Sequence, residues 1–106
     1  MVTSIQKIGG KTIVKVHEDI ADMRTGEAFK STLMELYKNG EKEIIIDFSE
    51  TRFINSHGIG KILMFYKRLK EVGGNILVTT LPPSIKDTFE TLMLDKLIPE
   101  VKLLNV

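Results

Sequence analysis

The side chains best suited to chemistry stand together near the middle of the chain, in the segment Asn55-Ser56-His57-Gly58-Ile59-Gly60. A serine hydroxyl can act as a nucleophile or receive a phosphate, a histidine can carry a proton, and a glycine lets a partner approach the backbone closely. The neighbouring Ser56 and His57 therefore indicate either a nucleophile with its base or a site of covalent modification. The elements on each side of the segment determine which of the two its geometry favours.

The segment lies between a predicted strand and a predicted helix. Three consecutive isoleucines in the run Ile44 to Phe48 are typical of a strand covered on both faces, which we take as the central strand. Apolar residues then recur with helical spacing, at Ile59, Ile62, Leu63, Tyr66 and Leu69. This spacing predicts a helix from Ser56 or His57 to Val72, with Asn55 or Ser56 as its N-cap.

A position at the start of a helix gives Ser56 two possible roles. The first turn of a helix carries unpaired N–H groups and a partial positive charge, so a phosphate there is stabilised by roughly 1 kcal/mol or more. A phosphorylated Ser56 would therefore be accommodated locally. The alternative is that Ser56 only caps the helix, and the spacing by itself does not separate the two roles.

Catalysis is disfavoured by the same geometry. Adjacent residues of a helix point about 100° apart, so Ser56 and His57 are poorly placed as nucleophile and base. The other histidine is His17, and the chain has neither the Gly-x-Ser-x-Gly elbow of hydrolases nor a Walker-type phosphate loop. Two histidines and no cysteine make a catalytic metal site and thiol chemistry unexpected. We predict that the protein is not an enzyme and that it binds neither a metal ion nor a cofactor. A small hydrolase that uses Ser56 and His57 is the least favoured alternative.

The pattern Asp-Phe-Ser-x-x-x-Phe-Ile-Asn-Ser-x-Gly-Ile-Gly from Asp47 to Gly60, with Gly73-Gly74 after the helix, resembles the signature of the STAS domains. The resemblance is to the bacterial anti-sigma factor antagonists in particular, and it covers nearly the whole chain. It implies that a partner kinase, itself the anti-sigma factor, phosphorylates Ser56, and that a PP2C-type phosphatase reverses the reaction. It also implies the order strand, strand, helix, strand, helix, strand, helix, strand.

The resemblance also points to the loop before the first helix. In the family this loop approaches the serine and bears an Asp three residues ahead of a Thr or Ser, and Asp22 and Thr25 have that spacing. Asp22 or Thr25 could equally cap the helix, and both roles can hold together. Most phosphorylated antagonists have Asp directly before the serine, whereas Asn55 carries no charge here. This difference favours a second hypothesis, a constitutive STAS adaptor in a transporter or stress-signalling assembly in which Ser56 is not phosphorylated.

One side of the second helix is a candidate docking surface. The positions predicted to face the core are Ile59, Ile62, Leu63, Phe65, Tyr66, Leu69 and Val72, at 100° per residue. Ser56, Gly60, Met64 and Lys67 fall on the opposite side, where Met64 is an apolar residue on the solvent face. The complete predicted partner-binding set is Asp22, Thr25, Asn55, Ser56, His57, Gly58, Gly60, Met64 and Lys67.

The first half of the chain contains a predicted β-hairpin and a helix. Val2 to Ile8 and Thr12 to His17 read as strands joined at Gly9-Gly10, a dipeptide suited to a tight turn. A helix starting near Thr25 follows, and Asn39-Gly40 should end it. Its predicted inward residues are Ala28, Phe29, Leu33, Leu36 and Tyr37.

After Gly73-Gly74 the sequence predicts a strand, a helix and a last strand. Asn75 to Thr80 is the strand, and Pro82-Pro83 opens a helix from about Ser84 to Leu92. Its predicted inward residues are Ile85, Phe89 and Leu92. The last strand is expected from Ile98 to Val106, with an interruption near Pro99.

Length and charge are consistent with one interaction domain. The 106 residues fit a single STAS-like domain, residues 1–106, of the α/β class: a mixed four- to five-stranded sheet with the helices mainly on one face. A net charge of +1 argues against direct nucleic-acid binding by bulk electrostatics. No apolar run reaches the length of a membrane span, and the N-terminal segment does not read as a signal peptide, so we expect a cytoplasmic protein.

Overall fold

The computed structural model describes residues 1–103, in which five strands alternate with three helices in the predicted order. The elements are β1 (Thr3–Ile8), β2 (Lys11–Val16), α1 (Met23–Lys38), β3 (Glu43–Asp47), α2 (Ser56–Glu71), β4 (Asn75–Thr79), α3 (Pro83–Thr91), a 3₁₀ turn (Leu94–Lys96) and β5 (Glu100–Val101). The fold is a single α/β domain, as the sequence predicts.

The five strands form one mixed sheet in the order β1-β2-β3-β4-β5. β1 and β2 form the predicted antiparallel hairpin, whereas β2, β3, β4 and β5 run parallel to one another. β3 is the central strand, and its three isoleucines are almost completely buried. Because β2, β3 and β4 are parallel and in register, their carboxyl ends lie together at one end of the sheet.

The helices cover one face of the sheet and share its core. Val14, Ile46 and Val78 are in register across three strands and belong to the main hydrophobic cluster. All three helices contribute to the same cluster, through Phe29, Leu33, Leu36, Ile59, Ile62, Phe65, Leu69, Ile85 and Phe89. Ile45, by contrast, pairs with Ile13 and points to the other face. The predicted placement of the helices on one side is therefore confirmed.

Local sequence signals set the ends of the helices. Asp22 is the N-cap of α1, so this helix begins two residues before the predicted Thr25. Asn39 is its C-cap, and Gly40 follows with φ of +82°, a conformation that glycine adopts without strain. Pro83 is the first residue of α3, one position before the predicted Ser84, where its missing N–H costs no hydrogen bond.

Two predicted inward positions are exposed, and four are half-buried. Val72 is the C-cap of α2 and Leu92 that of α3, and both side chains are exposed. At a helix end the backbone leaves the helical path, so a C-cap residue does not continue the rotation of 100° per residue. Extending that rotation to Val72 and Leu92 therefore assigned their side chains to the core side incorrectly. Ala28 and Tyr37 of α1 and Leu63 and Tyr66 of α2 are half-buried. The remaining predicted inward residues of these two helices are buried as predicted: Phe29, Leu33, Leu36, Ile59, Ile62, Phe65 and Leu69.

The predictions for Met64 and for the last strand also need correction. Met64 is half-buried and packs against the core cluster, because a long unbranched side chain can fold back over the helix surface. The predicted strand from Ile98 to Val106 is reduced to Glu100–Val101, which pairs with Val78 and Thr79 of β4. Pro99 lacks the N–H that an earlier start would use. Residues 104–106 of that prediction lie outside the described residues.

Candidate functional site

Ser56 is the exposed first residue of α2, and the loop that carries it follows the carboxyl end of β3. The N-cap is Asn55, whose side-chain Oδ1 accepts a hydrogen bond from the backbone N–H of Gly58 at 2.9 Å. The alternative in which Ser56 caps the helix is therefore wrong. The serine hydroxyl is left on the surface by a neighbour that performs the capping.

An isolated β-bridge joins the loop before α1 to the loop before α2. The N–H of Ile20 donates to the carbonyl oxygen of Phe53 at 3.0 Å, and the N–H of Asn55 donates to the carbonyl oxygen of Ile20 at 2.8 Å. Ile20 and Ile54 are both buried. This bridge places the loop before α1, residues 18–22 and called the acidic loop below, beside the start of α2, as the resemblance implied.

Polar side chains tie the loop before α2 to the rest of the domain. The Asp19 Oδ1 atom accepts the N–H groups of Arg52, at 2.7 Å, and of Phe53, at 3.2 Å. The Thr51 hydroxyl donates to the carbonyl oxygen of Val16 at 3.0 Å. The Ser84 hydroxyl, at the start of α3, donates to the carbonyl oxygen of Arg52. Ser56 therefore stands on a loop held by contacts from β2, α3 and the acidic loop.

Gly58 allows this loop and helix to pack closely. A Cβ atom at this position would lie 2.7 Å from Cγ1 of Ile54 and 3.0 Å from Cγ2 of Ile20, closer than packed carbon atoms approach. Gly60, two residues later, is exposed and faces open space. The two glycines that frame the motif thus lie on opposite sides of the helix.

Asp22 and Thr25 form a capping box at the start of α1. The Asp22 Oδ1 accepts the backbone N–H and the hydroxyl of Thr25, both at 2.8 Å. The Thr25 Oγ1 in turn accepts the backbone N–H groups of Ala21 and Asp22. The N–H of Thr25, followed by its hydroxyl, lowers the pKa of Asp22, so this carboxylate is ionised at neutral pH. The predicted capping role is confirmed.

A groove of about 370 Å³ lies between the start of α1 and the start of α2. Its lining residues are Ala21, Asp22, Met23, Gly26, Glu27, Asn55, His57 and Lys61. Asp22, Asn55 and His57 of the predicted set therefore meet at one surface feature next to Ser56. Thr25 and Gly58 are buried, so they could contribute to a surface here only by positioning it. Met64 and Lys67 lie two or three turns further along α2.

Sequence reasoning missed several residues of this surface. Lys61 lies four residues after the predicted His57 in the groove lining, so the i+4 rule would have identified it. Glu27 lies five residues after Asp22, and that rule does not point to it. Met23 and Phe53 are large apolar residues with side chains 83% and 51% exposed. An apolar residue directly after an N-cap, as at Met23, has no neighbouring turn to cover it. That signal was available from the predicted cap.

The two histidines lie in different surroundings. His57 lines the groove, whereas His17 bonds through Nε2 to the Ser4 Oγ at 2.7 Å and through Nδ1 to Glu50 at 3.0 Å. Within residues 1–103 no cluster of three or more His, Asp or Glu side chains is arranged to hold a metal ion. None of the helices in that part of the chain has the length and apolar character to cross a membrane.

Comparison with known proteins identifies the family. The sequence model of the STAS domain matches residues 3–104. The chain belongs to the STAS domain family. Among curated relatives of this STAS domain, BtrV of Bordetella bronchiseptica, named as a candidate anti-sigma factor antagonist, is 24% identical over 90 residues, covering 85% of this chain and 77% of its own length.

Solved structures share the fold of this STAS domain. A candidate anti-sigma factor antagonist from Thermotoga maritima superposes with a TM-score of 0.85 at 16% identity, covering 92% of this chain and 84% of the other. The Bacillus cell fate determinant SpoIIAA in its phosphorylated form gives a TM-score of 0.76, also at 16% identity, covering 97% and 94% of the two chains. At these identities the similarity shows a common fold.

Proposed function

We propose that this STAS domain is an anti-sigma factor antagonist, a non-catalytic partner-switching module controlled by phosphorylation of Ser56. The observation that carries the proposal is the placement of Ser56: an exposed hydroxyl at the first position of α2, capped by a neighbour and next to a groove. The names of BtrV and SpoIIAA, and the phosphorylated form of the latter, support it. The proposed location is the cytoplasm.

In this proposal the unphosphorylated domain binds a kinase-type anti-sigma factor and thereby frees a sigma factor. The contact surface comprises the start of α2 and the acidic loop, with Ser56, His57 and Gly60 exposed and Asp22 at the groove. Asn55, Thr25 and Gly58 hold this surface in place: Asn55 caps α2, Thr25 belongs to the capping box of α1, and Gly58 packs against the core. Met64 and Lys67 extend it along α2, Met64 through the part of its side chain that remains accessible.

Phosphorylation would act on the partner and leave the fold intact. A phosphate adds about −1.5 to −2 charges at neutral pH, and the start of a helix stabilises such a charge. The groove beside Ser56 is lined by the carboxylates of Asp22 and Glu27 and by the ammonium group of Lys61, so a phosphate on Ser56 makes the net charge of this surface more negative. A partner matched to the unphosphorylated surface then loses affinity. A PP2C-type phosphatase restores the binding form.

The neutral Asn55 is compatible with this switch. A carboxylate directly before a phosphoserine would repel it, whereas the amide of Asn55 keeps the capping bond to Gly58 and adds no charge. We therefore expect Asn55 to leave both states of Ser56 folded. What a neutral residue changes is the charge that the kinase meets beside its target.

Binding of a candidate kinase-type anti-sigma factor, taken from the same organism, tests this proposal. Ser56→Asp should weaken binding at least tenfold in calorimetry, whereas Ser31→Asp, the same change at an exposed serine of α1, should not. Gly60→Gln, which adds a side chain in open space, should also weaken binding, with Lys70→Gln as its control on the same helix. Equal affinity of wild type and Ser56→Asp would favour the constitutive adaptor instead.

A further inference from the structure

β1 leaves one edge of the sheet uncovered. The strand order ends at β1, and within residues 1–103 no strand pairs with its outer side. The N–H of His17 donates to the carbonyl oxygen of Val2 at 2.7 Å, and bonded pairs alternate along an antiparallel ladder. The backbone groups of Thr3, Ile5 and Lys7 therefore point outward, away from β2.

The usual protections of an edge strand are weak in β1. Natural edges are often blocked by proline, by a bulge, by a very short strand or by a free charge. β1 has six residues in unbroken register with β2 and no proline. Its one charged side chain, Lys7, forms an ion pair with Glu41, which also accepts the Thr12 hydroxyl. The Lys7 charge is thus balanced within the molecule.

β1 also carries exposed apolar side chains. Ile5 is 46% exposed and Ile8 is 38% exposed. Alternate residues of a strand point to opposite faces, so Ile5 lies on the helix-covered face and Ile8 on the other. A strand added along this edge would shield both of them from water.

We propose that a second copy of this chain pairs with the edge, its β1 antiparallel to the first about a twofold axis at Ile5. In this register Ile5 faces Ile5 of the second copy, and Thr3 faces Lys7. Three outward-facing pairs exchange two hydrogen bonds each, about six in all. The sheet then runs continuously through both copies, and the surface around Ser56 is not involved.

The register is self-complementary, as a twofold interface requires. Each Lys7 lies opposite Thr3, so no like charges face each other, and each Ile8 lies opposite Val2. A six-residue strand pair spans only about 20 Å and buries less than the ~1,200 Å² of stable complexes. The dimer is therefore reversible and forms as concentration rises.

Sedimentation velocity over a concentration series, from low micromolar to about 1 mM, tests the proposal. The wild type should shift from monomer toward dimer. Ile5→Pro removes an outward N–H that the monomer does not use, so it should stay folded and monomeric. Ile5→Thr loses the same apolar side chain but keeps the N–H, so it should retain dimerisation with a less than tenfold loss of affinity. Circular dichroism checks that both variants fold.

Amide hydrogen exchange of the wild type tests the same contact without mutation. The N–H groups of Thr3, Ile5 and Lys7 should gain protection as concentration rises, whereas those of Ser4 and Gln6, bonded to β2, should be protected throughout. A wild type that is monomeric at every concentration overturns the proposal. A dimer that persists in Ile5→Pro also overturns it. The same holds if the edge pairs only with an extended peptide of another protein.

Discussion

The first turn of α2 has a lower side that faces the core and an upper side that faces solvent. The two sides differ sharply, although a single residue separates Gly58 from Gly60. On the lower side, Gly58 is packed against Ile20 and Ile54, and the loop above them is fixed by backbone and side-chain hydrogen bonds. On the upper side, Ser56 and Gly60 are exposed beside a groove. The lower side maintains the geometry, and the upper side is free to take a modification or a partner.

The largest expected effect comes from adding a methyl group on the lower side. Gly58→Ala places a Cβ 2.7 Å from Ile54, and such overpacking should lower the free energy of unfolding by about 1–3 kcal/mol. Gly60→Ala meets no neighbour and should raise it by roughly 0.5–1 kcal/mol, because alanine is the better helix former. Urea denaturation of both variants measures the difference. A change of the same sign in both would remove the contrast.

Truncating the capping residue Asn55 should lower the free energy of unfolding more than truncating its exposed neighbour Ser56. This difference should be smaller than the one between the two glycines. Asn55→Ala removes the hydrogen bond to the Gly58 N–H and should cost about 1 kcal/mol of unfolding free energy. Ser56→Ala, at an exposed position that does not cap the helix, should change it by less than about 0.5 kcal/mol. Thermal unfolding monitored by circular dichroism gives both values. Equal losses would mean that Ser56 shares the cap.

Acid should weaken the ion-pair contacts that Glu50, in the loop after β3, makes with His17 and Lys15. Bonds from His17 and then Lys15 lower the pKa of Glu50, so its contribution to stability is present above the unfolded-state pKa of about 4.3 and is lost as the pH falls through the folded-state value. Glu50→Gln should therefore be less stable than wild type at pH 7 and nearly equal to it at pH 3. The effect should be small, since Glu50 is solvent-exposed. Urea midpoints at the two pH values compare them, and an equal deficit at both would contradict the assignment.

Most of the framework that supports the lower side could be predicted from sequence. The three isoleucines of β3, the Asn55 and Asp22 caps and the helical spacing of α2 are local signals, and each agrees with the fold. The approach of the acidic loop to Ser56 came from the family resemblance. The bridge between Ile20 and Ile54 that produces it joins residues 34 positions apart and has no local signature.

The features that sequence did not predict depend on tertiary packing. Met64 was placed by helical angle alone, which does not show how a flexible side chain folds back toward the core. Val72 and Leu92 lie where the helix stops, and the two-residue β5 is fixed by pairing with β4 more than by its own composition. The groove and the exposed Met23 and Phe53 arise from the meeting of two loops, so helical periodicity describes only part of them.

The proposed switch depends on phosphorylation of Ser56. Its most direct test is intact-mass analysis of the wild type and of Ser56→Ala after incubation with ATP, Mg²⁺ and the candidate kinase partner. The wild type should gain one phosphate, Ser56→Ala should gain none, and a PP2C-type phosphatase should remove the phosphate from the wild type. Absence of phosphate on a wild type that still binds the partner, or phosphate that persists in Ser56→Ala, would contradict it.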